Sequence, residues 1–170
     1  MTPAVSAVRL RLAGEDDRRG IVALARGADY LDLHTDYTYW LLLRHISNLV
    51  IVAEAPAGQL VGFLSTVPSR TAPRTLFLWQ IAVDPSYQGC GLGRALHEQL
   101  MAEMRGRDWD RFEVSISADN GFGFKNFSSW ARAYDMHVAE VGTMNYVDGD
   151  GAAATEVIYQ AQMPPHRSTP

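Results

Sequence analysis

The chain has 170 residues, 47% of them apolar and 20% charged, a length and balance that suit one folded domain with a real core and exclude a disordered or fibrous chain. The one cysteine, Cys90, excludes an intrachain disulfide, and no Cys/His cluster has zinc spacing, so no metal is expected. No apolar run approaches the roughly 20 residues of a membrane span, Met1 to Val8 lacks the form of a secretory signal, and the net charge of −4 speaks against nucleic acid, which together point to a cytoplasmic protein with a small-molecule partner.

Taken in order, Val8 to Leu12 alternates apolar and basic residues as a half-buried first strand does. Glu15, Asp16 and Asp17 place acids in the first turn of a helix that should run to about Gly27. A second helix follows Asp36, with Tyr37, Trp40, Leu41 and Arg44 along one side. Leu49 to Ala55 and Leu60 to Val67 read as strands joined by a hairpin turn at Pro56-Ala57-Gly58. Thr75 to Val83 is apolar on both faces except at Gln80, as in a central strand. Leu92, Leu96, Leu100 and Met104 mark a helix, and Phe112 to Ser117 a strand. Asn120 to Tyr134 reads as a helix with Phe127, Trp130, Ala131 and Tyr134 at helical spacing. Met136 to Val141 and Thr155 to Gln160 are closing strands around an exposed turn at Asp148-Gly149-Asp150-Gly151. The order β-α-α-β-β-β-α-β-α-β-β predicts an α+β fold, a mixed sheet flanked by helices, in one domain over residues 1–162 with a loose tail over 163–170.

The most informative segment runs from Val83 to Arg94. A buried strand ends, glycines recur at 89, 91 and 93, and a helix opens. Glycine lets successive N–H groups turn toward one spot, and a helix start adds further unpaired N–H groups, so the segment suits a phosphate or diphosphate. A P-loop would end in Gly-Lys-Ser/Thr where this chain has Gly93-Arg94-Ala95. A dinucleotide fingerprint counted from Gly89 would need glycine where Arg94 stands, and Glu113, about 20 residues further on, does not rescue it. A plain strand-to-helix turn is the remaining alternative.

Gln88, Gly91 and Gly93 form Gln-x-x-Gly-x-Gly, which resembles the diphosphate loop of the GCN5-related N-acetyltransferases. The resemblance implies that acetyl-CoA is the co-substrate. It implies that Ile81, Ala82 and Val83 lie along the pantetheine arm and that Gln88, Gly89, Cys90, Gly91, Leu92, Gly93 and Arg94 hold the diphosphate. Asn120 then opens the helix beside the coenzyme, with Phe127 on it. Two segments, Leu31 to Leu43 and Thr75 to Pro85, are similar to the L-2,4-diaminobutyrate acetyltransferases of ectoine biosynthesis, as is Ser115 to Asn120 followed by Phe127. Where that family usually reads Asp-Leu-Asn-Ser, this chain has Asp32-Leu33-His34-Thr35, and the family's histidine near the C-terminus has no counterpart.

The implied reaction is acetyl transfer to the distal amine of a small diamino acid, L-2,4-diaminobutyrate first. A polyamine, diaminopropionate or an amine-bearing antibiotic remain as acceptors, and a non-catalytic acyl-CoA sensor as the alternative of another class. An amine with pKa around 10 must lose a proton before attack, while strand N–H groups can stabilise the oxyanion. By resemblance, Asp32, Tyr37 and Trp79 bind the acceptor, Tyr39 takes the proton role and Glu156 or a water relay removes the amine proton. Asp32 as a turn cap, the aromatics as packing and Glu156 as a surface acid are the alternatives. Tyr134 is a second proton donor to weigh, Cys90 reads as a neutral loop residue rather than an acyl carrier, and a homodimer is expected from the family.

Overall fold

The computed structural model describes residues 5–47, 49–118, 120–147 and 151–164. Its seven strands form a mixed sheet in the order β1-β2-β3-β4-β5-β7-β6, and the chain divides into two compact units that share strand β4, Thr75–Val83.

The first unit comprises residues 1–68 and 78–108. Strand β1 (Arg9–Leu12) pairs antiparallel with β2 (Val50–Glu54), and β2 with β3 (Leu60–Pro68). Helix α1 (Arg18–Arg26) turns Ile21 and Ala25, four residues apart, onto one face of these strands. There they meet Tyr39 and Leu42 from the segment after α1, with Val50, Val52, Phe63 and Ala82. Helix α3 (Leu92–Glu103) packs against β1, β2 and β3 with Leu92, Leu96 and Leu100, each at most 1% exposed. Burying each leucine contributes about 1.5–3 kcal/mol. Gly62 on β3 allows the close approach, since a Cβ there would stand 3.2 Å from the Ala82 carbonyl oxygen and 3.3 Å from Leu96 Cδ1.

The second unit comprises residues 69–77 and 109–170. Here β5 (Arg111–Ser117) runs parallel to β4 over Thr75–Phe77 alone, and antiparallel to β7 (Ala153–Gln162), which pairs with β6 (His137–Val147). Helix α4 (Gly121–Ala133) buries Phe127, Trp130 and Ala131, and the Trp130 indole meets the Phe112 ring edge-on at 4.8 Å.

Several boundaries differ from expectation for local reasons. The first helix begins as a 3-10 turn, Glu15–Asp17, because the Asp17 carboxylate reaches back to the Gly14 N–H at 2.8 Å and to Arg11. The second, α2 (Asp36–Leu41), is short and passes into a single π turn, Leu42–Ile46, that Ser47 ends in extended conformation. The closing strands are longer than their apolar alternation suggests, because much of β6 is exposed and carries no clear two-residue pattern. Met163, expected to be loose, donates its N–H to the Asp110 carbonyl at 2.8 Å. Asp148 to Asp150 of the expected turn, and residues 165–170 of the tail, lie outside the described residues.

Arg11 ties the first unit's edge together. Its guanidinium reaches both Asp17 oxygens, at 2.7 and 2.8 Å, and Glu54 Oε2 at 2.9 Å from Nε. These bonds hold the Asp17 carboxyl below its ordinary value, against a burial effect that raises it. The stabilisation is therefore complete above the usual carboxylate range near pH 4 and is lost as pH falls through the lowered value. Arg11→Met should lower unfolding free energy by about 1–3 kcal/mol at pH 7 in urea titration, with the gap to wild type narrowing below about pH 4.

Candidate functional site

The turn between β4 and α3 starts at Asp84, whose N–H donates to the Val61 carbonyl at 2.9 Å and whose carboxylate accepts from the Ser86 N–H at 2.9 Å. Pro85–Tyr87 makes one 3-10 turn. Gln88 Nε2 then donates back to the Val83 carbonyl at 3.2 Å, and the Cys90 thiol donates to the Tyr87 carbonyl at 2.8 Å. Gly89 and Gly91 sit at φ of +75° and +92°, the left-handed region that glycine enters without strain.

The consequence lies in the main chain. The Gln88 N–H is engaged by the Pro85 carbonyl and the Ala95 N–H by the Gly91 carbonyl, while the amides of the six residues Gly89 to Arg94 meet no acceptor among the described residues. A Cβ added at Gly89, Gly91 or Gly93 would have no atom within 4 Å, so open space lies in front of these amides. Six free N–H groups, three glycines without side chains and the start of a twelve-residue helix make a cradle for a diphosphate. The Arg94 side chain turns outward to Glu98 at 2.7 Å and is 79% exposed, so its part in the cradle is its amide.

Upstream of the turn, β4 carries a second feature in the same unit. Trp79, Ile81 and Val83 are half-buried, while Leu78, Gln80 and Ala82 are buried. The Trp79 ring lies 5.9 Å from the Tyr39 ring and 4.8 Å from the His34 ring, and His34 meets Tyr39 edge-on at 6.3 Å. Asp32, two residues before His34, is exposed, and its carboxylate has no hydrogen bond or ion pair among the described residues. An unpaired acid beside an aromatic cluster is suited to an ammonium group.

The tyrosines expected here separate. Tyr39 is fully buried, and its hydroxyl donates to Gln80 Oε1 at 2.9 Å. Burial raises its pKa, against the smaller opposite pull of the His34 main chain and the Gln80 bond. The Tyr39 hydroxyl proton faces Gln80, and the side chain has no exposed surface. Tyr37 is 64% exposed and stacks on Trp40 at 5.3 Å, with the Arg44 guanidinium 5.9 Å over the Trp40 ring. It lies outside the His34–Tyr39–Trp79 cluster, because two residues of a helix are roughly 200° apart. Gln80 joins the cluster, and its signal was there: one carboxamide in an otherwise apolar strand.

The second unit holds the remaining candidates. Asn120 caps α4, its Oδ1 accepting from the Gly123 N–H at 2.9 Å. Phe127 is 4% exposed, and its ring packs 5.9 Å from that of Trp130. Tyr134 ends α4 with its ring 6.3 Å from Trp130. Glu156 lies on β7 between Ser117 and Met144 of the neighbouring strands, half-buried, with no partner for its carboxylate among the described residues. Glu113 accepts from Gln160 Nε2 at 2.9 Å.

Residues 18–121 match the family model of the acetyltransferase (GNAT) family. An L-2,4-diaminobutyric acid acetyltransferase of Bordetella parapertussis is 34% identical over 131 residues, 77% of this chain and 70% of that protein. One from Streptomyces coelicolor is 31% identical over 94% of this chain and 95% of its own length. Among solved structures, a diaminobutyrate acetyltransferase from Paenibacillus lautus in complex with its substrate L-2,4-diaminobutyric acid and coenzyme A superposes with a TM-score of 0.80, at 27% identity over 92% of this chain and 95% of that one.

The backbone at the turn predicts opposite effects of two neighbouring substitutions on the ligand-free protein. Gly91→Val forces a β-branched residue into the left-handed region and should cost about 1–3 kcal/mol. Gly93→Ala, inside α3 with open space before it, should gain about 0.5–1 kcal/mol; chemical denaturation reads both.

Proposed function

Because the chain belongs to the acetyltransferase (GNAT) family, we propose that it moves acetyl from acetyl-CoA to the distal amine of L-2,4-diaminobutyrate, with residues 1–162 acting as one catalytic domain. The observation that carries this reading is the placement of two features along one strand. A cradle of free amides begins beyond Val83, and an acid-edged aromatic platform is built on Trp79. Four residues of extended chain separate them, about 13 Å at roughly 3.3 Å per residue, a run that an extended pantetheine arm can follow.

When bound, the thioester supplies an electrophilic acyl carbon, and the acceptor's own nitrogen is the nucleophile, so no Ser or Cys is required of the chain. Cys90, whose thiol is engaged by the Tyr87 carbonyl, has no part in it. Gly89 to Arg94 bind the diphosphate through their amides. Ile81, Ala82 and Val83 orient the arm through their main-chain groups. Asp32 attracts a substrate ammonium, and the Trp79 face adds a cation–π contribution of about 0.5–2 kcal/mol. Glu156 accepts the amine proton, for which its unpartnered carboxylate is suited, as the new C–N bond forms and the C–S bond breaks, and the coenzyme leaves as a thiolate that takes a proton from water. Most of the rate enhancement comes from holding amine and thioester in line. Acetyl-CoA and diamino acids are metabolites of the cytoplasm, where we place the protein, and a homodimer follows the expectation from its relatives.

A thiol-release assay over L-2,4-diaminobutyrate, diaminopropionate, ornithine, lysine and spermidine tests the assignment. Diaminobutyrate should exceed every other amine at least tenfold in kcat/KM. Preference for another amine would replace the substrate, and coenzyme binding without thiol release on any amine would favour a sensor. Gly93→Ala should weaken coenzyme A at least tenfold in calorimetry although it stabilises the free protein. Asp32→Ala should raise the acceptor KM about tenfold or more, worth about 1.4 kcal/mol or more, with coenzyme affinity unchanged.

A further inference from the structure

We propose that Gln80 is a positioning residue of the acceptor site, its carboxamide holding the Asp32–His34 segment against Tyr39 and so setting where the Asp32 carboxylate stands. The proposal rests on the acceptor reading above and adds to it a residue whose role is neither binding nor proton transfer.

Gln80 is 6% exposed in an otherwise apolar strand. Its Nε2 donates to the Asp32 carbonyl at 2.8 Å, and its Oε1 accepts from the Tyr39 hydroxyl at 2.9 Å. The orientation of the amide follows from chemistry: a main-chain carbonyl only accepts, so the nitrogen must face Asp32 and the oxygen must face Tyr39. Asp32, Gln80 and Tyr39 therefore form one circuit of hydrogen bonds, in which the segment is tied at Asp32 through two buried side chains to a strand and a helix, while the His34 ring packs edge-on 6.3 Å from the Tyr39 ring. The main chain of Gln80 is itself held by Ser65, whose Oγ accepts from the Gln80 N–H at 3.1 Å and donates to the Gln80 carbonyl at 3.2 Å.

The circuit fixes Asp32 by its main chain and leaves the carboxylate unengaged. A carboxylate that held its own segment by a cap or ion pair would be spent. Here the holding is delegated to Gln80, and the charge stays free for a ligand. An apolar residue at position 80 would leave the buried Tyr39 hydroxyl without its acceptor and the segment untied. The carboxamide is thus explained by what it does to residues 32–34, as a fixed outer layer supports a binding group.

Gln80→Met keeps the length of the side chain and removes both hydrogen bonds. It should raise the acceptor KM at least tenfold, leave coenzyme A affinity within twofold of wild type, and speed amide exchange over residues 31–35 but not over the core strand at 50–53. Asp32→Ala added to Gln80→Met should raise KM no further than Asp32→Ala alone, because both act through one carboxylate. An unchanged KM, unchanged exchange over 31–35, or multiplicative effects in the double variant would overturn the proposal. Should Gln80→Met fail to fold, Tyr39→Phe, which keeps the Asp32 bond, should raise the acceptor KM three- to tenfold with coenzyme affinity unchanged, and an unmoved KM there counts against it. Wild-type protein that acetylates a different amine instead of diaminobutyrate removes the substrate assignment, and the same comparison is then made on that amine. Turnover of no amine overturns both.

Discussion

Six main-chain N–H groups without acceptors among the described residues, from Gly89 to Arg94, are the constraint around which the rest of the first unit is arranged. Exposed amides tolerate this because water serves them, but they bind an anion strongly only when aimed at one place. Aiming them requires a backbone that enters the left-handed region at Gly89 and Gly91. It also requires a turn that does not drift. Asp84, Gln88 and Cys90 each bond back to atoms of the turn or its flanks, and β4 and α3 on either side are anchored in the core by Ala82 and by Leu92, Leu96 and Leu100. Core packing thus fixes the geometry of groups that never enter the core.

The acceptor end of β4 uses the opposite device. There the polar groups are buried and fully engaged, and what remains exposed is a charge. The hydroxyl of Tyr39 and the carboxamide of Gln80 satisfy one another and the segment above them. Neutral hydrogen bonds in a dry setting hold geometry well, and leaving one partner unpaired costs more than the bond itself contributes. The Trp79 and His34 rings pack together there, their centroids 4.8 Å apart and their planes tilted by 36°. In the proposed reaction, negative charge of the coenzyme is met by main-chain dipoles and positive charge of the acceptor by one carboxylate, at separate ends of a single strand segment.

Much of this fold could be read from residue order because the informative elements are locally punctuated. Strand β4 begins and ends where expected, between Pro73-Arg74 and Asp84-Pro85, and α3 follows its four-residue leucine spacing. The glycine turn was legible because three glycines cannot be explained by packing. What remained hidden depends on direction rather than on residue type. Tyr37 and Tyr39 look alike in the sequence, yet the helix sends one to solvent and the other into the core. Phe127 stands three residues from Trp130, a spacing that already favours a shared buried face. The role of Gln80 was hidden because its partners lie 41 and 48 residues away, and no local pattern records such a meeting.

The most direct test of the central claim is the response of the backbone amides themselves to coenzyme A, followed residue by residue in nitrogen-15 correlation spectra. The resonances of Gly89 to Arg94 should shift downfield as hydrogen bonds to the diphosphate form, saturating together with the binding isotherm, and 3′-phospho-ADP, which has the diphosphate without the pantetheine arm, should move the same signals. Coenzyme binding that leaves these six amides in place while shifting others would contradict the account.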